Sequence, residues 1–133
     1  FGELVLKDPL KRKQLDTGLE QLSHEGVIQL FYRPHLGRTN PILGAVGVLQ
    51  FEVLKERLIN EYNVKAIFQS LSYAAARWVT GPEEAHTWLK ERRDYPVFED
   101  RNGNPVLLSQ SDWAIQYALE NAPGLELHDI EPL

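Results

Sequence analysis

The sequence predicts an α+β fold in which the element order β-α-β-β-α-β occurs twice. Three observations carry this expectation. Short β-branched and aromatic runs alternate with stretches whose leucines recur every three or four residues. Gly, Pro or Asn falls at nearly every junction between them, and the residues after Leu71 repeat the element order of those before it.

Leu4 to Leu6 reads as a strand. Asp8-Pro9 starts a helix, with an acid at the N-cap and Pro at the first helical position. Leu15, Leu19 and Leu22 line one face of it, and Gly26 stops it. Residues 27–33 (VIQLFYR) read as a strand, 34–41 (PHLGRTNP) as a loop, and 42–46 as the next strand. Gly47 breaks into a second helix over 48–62, with a main stripe of Phe51, Leu54, Leu58 and Tyr62 and a second apolar side at Leu49 and Val53. Asn63 ends that helix, and 64–71 is a strand. This is the split order of a ferredoxin-like sandwich.

In the second half, 73–79 is a strand, and Thr80-Gly81-Pro82 opens a helix that carries Ala85, Trp88 and Leu89 and ends near Arg93. Residues 96–99 and 106–109 form a hairpin around Asn102-Gly103. Ser111 or Asp112 caps a helix with Trp113, Tyr117 and Ala118 inward, and 125–130 closes as a strand. No low-complexity linker separates the halves. The expectation is therefore a single domain over 1–133, with pseudo-halves 1–71 and 72–133 merged into one compact unit.

The composition narrows the function classes. With 133 residues, 43% hydrophobic and 25% charged, the chain suits one globular domain or two fused halves. It contains no Met, even at its first position, which predicts a piece of a longer protein. Zero Cys excludes a disulfide framework and any thiolate metal site, and fits the cytoplasm. No apolar run approaches the ~20 residues that span a bilayer. Residues 1–66 carry nine Lys and Arg against eight acids, and residues 67–133 five against eleven. A chain of net charge −5 does not coat nucleic acid non-specifically, so any contact with RNA needs a local basic surface.

No phosphate-cradling G-x-x-x-x-G-K-[ST] loop, G-x-S-x-G elbow or H-E-x-x-H helix is present, so no catalytic, cofactor or metal site is expected within the chain. Glu83 and His86 have the spacing of a carboxylate metal helix but lack the second copy that motif needs. Glu99-Asp100 and Asp129 with Glu131 are carboxylate pairs at a hairpin and near the chain end, where acids are ordinarily just solvated. Two features survive. Gly26 to Phe51 is free of acids and holds Arg33, His35 and Arg38 around the 34–41 loop, a surface for phosphate or an acidic protein patch; the competing reading is an ordinary β-β loop. Lys11 and Arg12, with Lys13, sit in the first turns of helix 1, where cations oppose the helix dipole.

Gly44-Ala45-Val46-Gly47-Val48-Leu49-Gln50-Phe51-Glu52-Val53, followed by Arg57-Leu58, resembles the strand-to-helix motif in the third domain of elongation factor G and its relatives. Ala45 and Gln50 depart from that motif. These departures, with Lys7-Asp8-Pro9-Leu10-Lys11, Leu22-Ser23-x-Glu25-Gly26, Glu61-Tyr62-Asn63-Val64 and Ala76-Arg77-Trp78-Val79, resemble the class II release-factor GTPases of bacterial translation termination. The match covers roughly residues 4–80.

The resemblance implies a C-terminal domain that faces the ribosome, on its small subunit, and contacts other domains of the same factor as a monomer. It implies coupling of GTP state to factor rotation in a protein that recycles the decoding release factors. GTP or GDP and magnesium would then belong to the missing N-terminal part. In the motif, which opens at Gly44, Gly47 lets strand turn to helix while Leu49 and Phe51 pack on opposite sides. The alternatives are the third domain of elongation factor G, or a ferredoxin-like RNA- or ligand-binding module. An RNA-recognition sheet would carry stacking aromatics, which Gly44-Ala45-Val46-Gly47 does not supply.

Overall fold

A computed structural model describes residues 1–6, 9–26, 28–34, 41–44 and 48–131. They form two four-stranded antiparallel sheets. The first is built from β1 (Gly2–Leu6), a 3-10 turn (Pro9–Lys11), α1 (Arg12–His24), β2 (Gln29–Phe31), β3 (Ile42–Gly44), α2 (Val48–Tyr62) and β4 (Ala66–Ser70). The second is built from β5 (Ala75–Thr80), α3 (Glu83–Lys90), β6 (Val97–Glu99), β7 (Pro105–Ser109), α4 (Asp112–Asn121) and β8 (Glu126–His128). Their strand orders are β2-β3-β1-β4 and β6-β7-β5-β8, the same interleaved ferredoxin-like order twice. Each helical crossover leaves a slot between the two strands it joins: β3 and β7 fill the slots of the first crossovers, and β1 and β5 those of the second. Two sheets carry the two halves, and the chain divides into two compact units: Phe1–Phe31 with Arg38–Leu71, and Tyr32–Gly37 with Ser72–Leu133.

In the first unit α1 buries Leu15, Leu19 and Leu22, and α2 buries Leu54 and Leu58. The two helices meet at Gly18, where a Cβ would lie 2.9 Å from the Tyr62 ring and 3.0 Å from Leu58. The α-helix proper starts at Arg12, preceded by the 3-10 turn; Lys11 at the N-cap makes no side-chain cap bond, having no acceptor to offer. Asp8, the expected cap, lies outside the described residues. At the other end Arg57 of α2 donates to both carboxylate oxygens of Glu25, at 3.0 and 3.2 Å, and to Glu61 at 2.8 Å. The Arg57 hydrogen bond is the main reason the Glu25 carboxyl sits below its ordinary range. Both groups are solvent-exposed, so this pair orients more than it stabilises.

β2 is shorter than the 27–33 run suggests. Val27 lies outside the described residues, and Tyr32 leaves the first sheet to pair with Glu99 of β6, donating to its carbonyl at 2.7 Å and accepting from its N–H at 2.8 Å.

The second unit packs Val79, Ala85, Leu89, Tyr95, Leu107, Ala118, Ala122 and Leu125 into one core. Trp113 and Tyr117, expected inward, are 72% and 42% exposed, and Ile115 takes the inward place beside Ala118. The buried positions 115, 118 and 122 follow helical spacing, and 113 and 117 fall on another face. Trp113 stacks on Tyr117 at 5.3 Å, and Tyr117 reaches Trp88 of α3 at 6.2 Å. Ser111 caps α4, its Oγ accepting from the Ala114 N–H at 3.2 Å. At the ends of the outer connections Gly81 and Gly124 have φ of +138° and +72°, and a Cβ on Gly81 would meet the Gly124 carbonyl oxygen at 2.7 Å. Only glycine combines that backbone with that approach.

Candidate functional site

The sequence-predicted residues divide into those the structure places and those outside it. His35, Arg38 and Gly47 lie outside the described residues. Arg33 is half-buried in the second unit, its guanidinium 5.8 Å from the centre of the Phe98 ring. Lys11 and Arg12 are half-exposed at the start of α1, beside Leu10, which is 87% exposed. Gly44 has a packing reason: a Cβ there would lie 3.1 Å from the Phe1 ring and 3.5 Å from that of Phe31. Of the two motif residues expected to pack on opposite sides of α2, Phe51 meets the Phe68 ring at 5.6 Å, whereas Leu49 is 80% exposed. Val53, one turn on, is exposed as well, so the second apolar side of α2 is an open stripe.

Of the carboxylate pairs, Asp100, Asp129 and Glu131 anchor hydrogen bonds or an ion pair rather than being merely solvated. Asp100 is buried under the β6–β7 hairpin and accepts from the Trp78 indole N–H at 3.0 Å, the Asn102 and Asn104 backbone N–H groups at 2.8 and 2.9 Å, and the Asn104 side chain at 3.2 Å. Burial pushes its carboxyl up, but the Trp78 and Asn104 donors, with that of Asn102, outweigh burial and hold it below the ordinary carboxylate range. Glu131 accepts from the Asn102 and Asn104 side chains, both at 2.8 Å, and Asp129 pairs with Arg77 at 3.0 Å. Among the described residues no group of three or more His, Cys, Asp or Glu converges as a metal site, and no helix is long and apolar enough to cross a membrane.

The second unit also holds a feature that sequence reasoning missed. A cavity of about 640 Å³ opens between the C-terminal end of α3 and strand β6. His86, Lys90, Arg92 and Arg93 line one side, and Tyr95, Pro96, Phe98 and Pro105 supply apolar wall. Arg92 is held in place: its Nη1 donates to the Trp88 carbonyl at 2.7 Å, and its guanidinium lies 3.8 Å over the Trp88 ring. The clustered cations near Arg93, followed by Tyr95, Pro96 and Phe98, were a signal in the sequence; Pro34, which also lines the cavity, is distant in the chain.

Two units of identical strand order joined in one chain define a tandem ferredoxin-like α+β module. A family profile described as class II release factor RF3, C-terminal domain, matches residues 1–119. Similar proteins include peptide chain release factor 3 of Symbiobacterium thermophilum, 42% identical over 127 residues, which cover 94% of this chain and 24% of that protein. Peptide chain release factor 3 of Nostoc punctiforme is 40% identical over 133 residues, covering 100% of this chain and 24% of that protein. That of Aromatoleum aromaticum is 43% identical over 129 residues, covering 96% and 23%. The chain belongs to the family of class II release-factor C-terminal domains. It spans about a quarter of the length of these relatives.

Proposed function

We propose that residues 1–133 act as one C-terminal domain of a release-factor GTPase, contacting the ribosome and coupling its nucleotide state to the factor's orientation during translation termination. The observation that carries this reading is the family match over residues 1–119, in relatives about four times as long. In this reading GTP, GDP and magnesium bind elsewhere in the longer protein, and the domain supplies surfaces. The open Leu49–Val53 stripe suits a contact with another domain of the same factor, and the cations Lys11, Arg12 and Arg33, with His35 and Arg38, suit phosphate or an acidic patch of the small subunit.

The test is ribosome-stimulated GTP turnover by the longer protein across a salt series. Arg33→Glu with Arg38→Glu is expected to lower turnover and flatten its salt dependence, because fewer counterions are released. Leu49→Asp is expected to lower it without changing the salt slope. Nucleotide affinity off the ribosome stays unchanged in both. Wild-type turnover and slope in both variants, with intact melts, would refute the assignment of these surfaces.

A further inference from the structure

We propose that the cavity between α3 and β6 binds the backbone of a single RNA strand. This goes beyond the release-factor reading: it stands on this chain's own residues, and its failure leaves the family assignment untouched.

Charge segregation is the first observation. Of the five Lys and Arg in residues 67–133, Lys90, Arg92 and Arg93 line this cavity; of the eleven acids there, only Glu99 does. An otherwise acidic half thus concentrates its positive charge on one concave surface. Low-dielectric walls, here Tyr95, Pro96, Phe98 and Pro105, strengthen the field that such a surface presents to an anion.

Local structural needs account for part of this arrangement. Lys90 in the last turn of α3 complements the helix dipole, and Arg92 satisfies the Trp88 carbonyl. Neither reason covers Arg93, nor the turning of His86 to the same cavity. Lys90 and Arg93 have no ion-pair partner among the described residues. Arg92, stacked on Trp88, is pre-ordered and loses little rotamer freedom on binding.

The geometry favours a strand over the other anions. His86 and Lys90 stand about one 5.4 Å turn apart on α3, with Arg92 and Arg93 just past its end, so an imidazole and three fixed cations follow one another along one concave surface, an arrangement that suits successive phosphates. A cavity of about 640 Å³ accommodates a nucleotide-sized group, whereas an acidic protein would need a contact of roughly 800 Å² on each partner.

The probe is a fluorescein-labelled hexaribonucleotide titrated with the whole chain and read by anisotropy. We expect saturable binding, with Lys90→Glu combined with Arg93→Glu weakening it roughly tenfold or more and reducing the salt slope by about 1.4, the share of two phosphate contacts on a single strand. Lys65→Glu, an exposed control in the first unit, leaves affinity within about twofold. Far-UV circular dichroism of each variant keeps a folding defect from passing as a binding defect. Absent binding overturns the proposal, as does binding indifferent to the double reversal in a folded variant. Competition by adenosine monophosphate as strong per phosphate as by the unlabelled strand overturns it in favour of a free nucleotide. Tighter binding of an octaglutamate peptide overturns it in favour of an acidic protein.

Discussion

The two units share a strand order and little else. The first is near neutral and uses helices of 13 and 15 residues that touch directly at Gly18. The second is acidic, its helices have only 8 and 10 residues, and it relies on tight connections at Gly81 and Gly124 and on one buried carboxylate, Asp100. Long helices bring enough leucine to bury for packing alone to dominate; short helices bring less, so backbone geometry and buried hydrogen bonds take a larger share. One topology is thus held by two different sets of forces. All three tryptophans, Trp78, Trp88 and Trp113, belong to the second unit, so tryptophan fluorescence reports on it alone.

The hardest blow to this contrast comes from Gly81→Ala. The new Cβ meets a backbone oxygen that cannot rotate away, in a conformation that disfavours alanine, and we expect a loss of about 3 kcal/mol or more. Urea unfolding followed by tryptophan emission measures it. A midpoint within error of wild type would mean that the connection yields easily and does not hold the second unit.

Next comes Asp100→Ala, which leaves the Trp78 indole and the Asn102 and Asn104 N–H groups without their acceptor, at a cost of about 2–3 kcal/mol. The pH dependence follows from the same carboxylate. Its folded pKa lies below the unfolded value, so its contribution is fully present above the ordinary Asp range, near 3.9, and is lost as pH falls through the folded pKa. Asp100→Asn should therefore show a smaller drop in urea midpoint between pH 6 and pH 3 than wild type. Equal drops would assign the acid sensitivity to other groups.

Gly18→Val tests the first unit. Its side chain would press on the base of the Tyr62 ring and on a Leu58 methyl, and the expected loss is about 2 kcal/mol, read by amide exchange in α1 and α2. If tryptophan emission shifts as far as the exchange does, the units unfold together and the contrast concerns packing only. The smallest effect is expected at Leu49→Gln, under ~0.5 kcal/mol, because Leu49 is already in solvent. A larger loss would mean that this stripe is covered in solution.

These expectations also show how much was legible in the sequence. Leu15, Leu19 and Leu22, like Leu54 and Leu58, announced their burial because a one-sided helix writes its core at a fixed period. The Asn102-Gly103 hairpin and the Gly26 stop were readable for an equally local reason, turn chemistry. Trp113 and Tyr117 are apolar but lie off the buried face, and Ile115, Ala118 and Ala122 carry the period. β2 was overextended because the end of its pairing is decided by Glu99, 67 positions beyond Tyr32, and no local pattern encodes that choice. Of the candidate site, Arg33 and the Leu49 side of α2 were singled out from sequence. The cations at the end of α3 became a site only when folding brought β6 and Pro34 around them.

The pairing of Tyr32 with Glu99 has a consequence for anyone who would dissect this gene. A cut between Leu71 and Ser72 looks like a clean excision, but it strips the second unit of residues 32–37 and leaves the β6 backbone without its Tyr32 partner. An orphaned strand border of that kind is a template for self-association. The trimmed fragment would therefore be expected to precipitate or to recruit a second copy, even with its core sequence untouched. Circular permutation, which preserves every residue, is the better tool for asking what each half does.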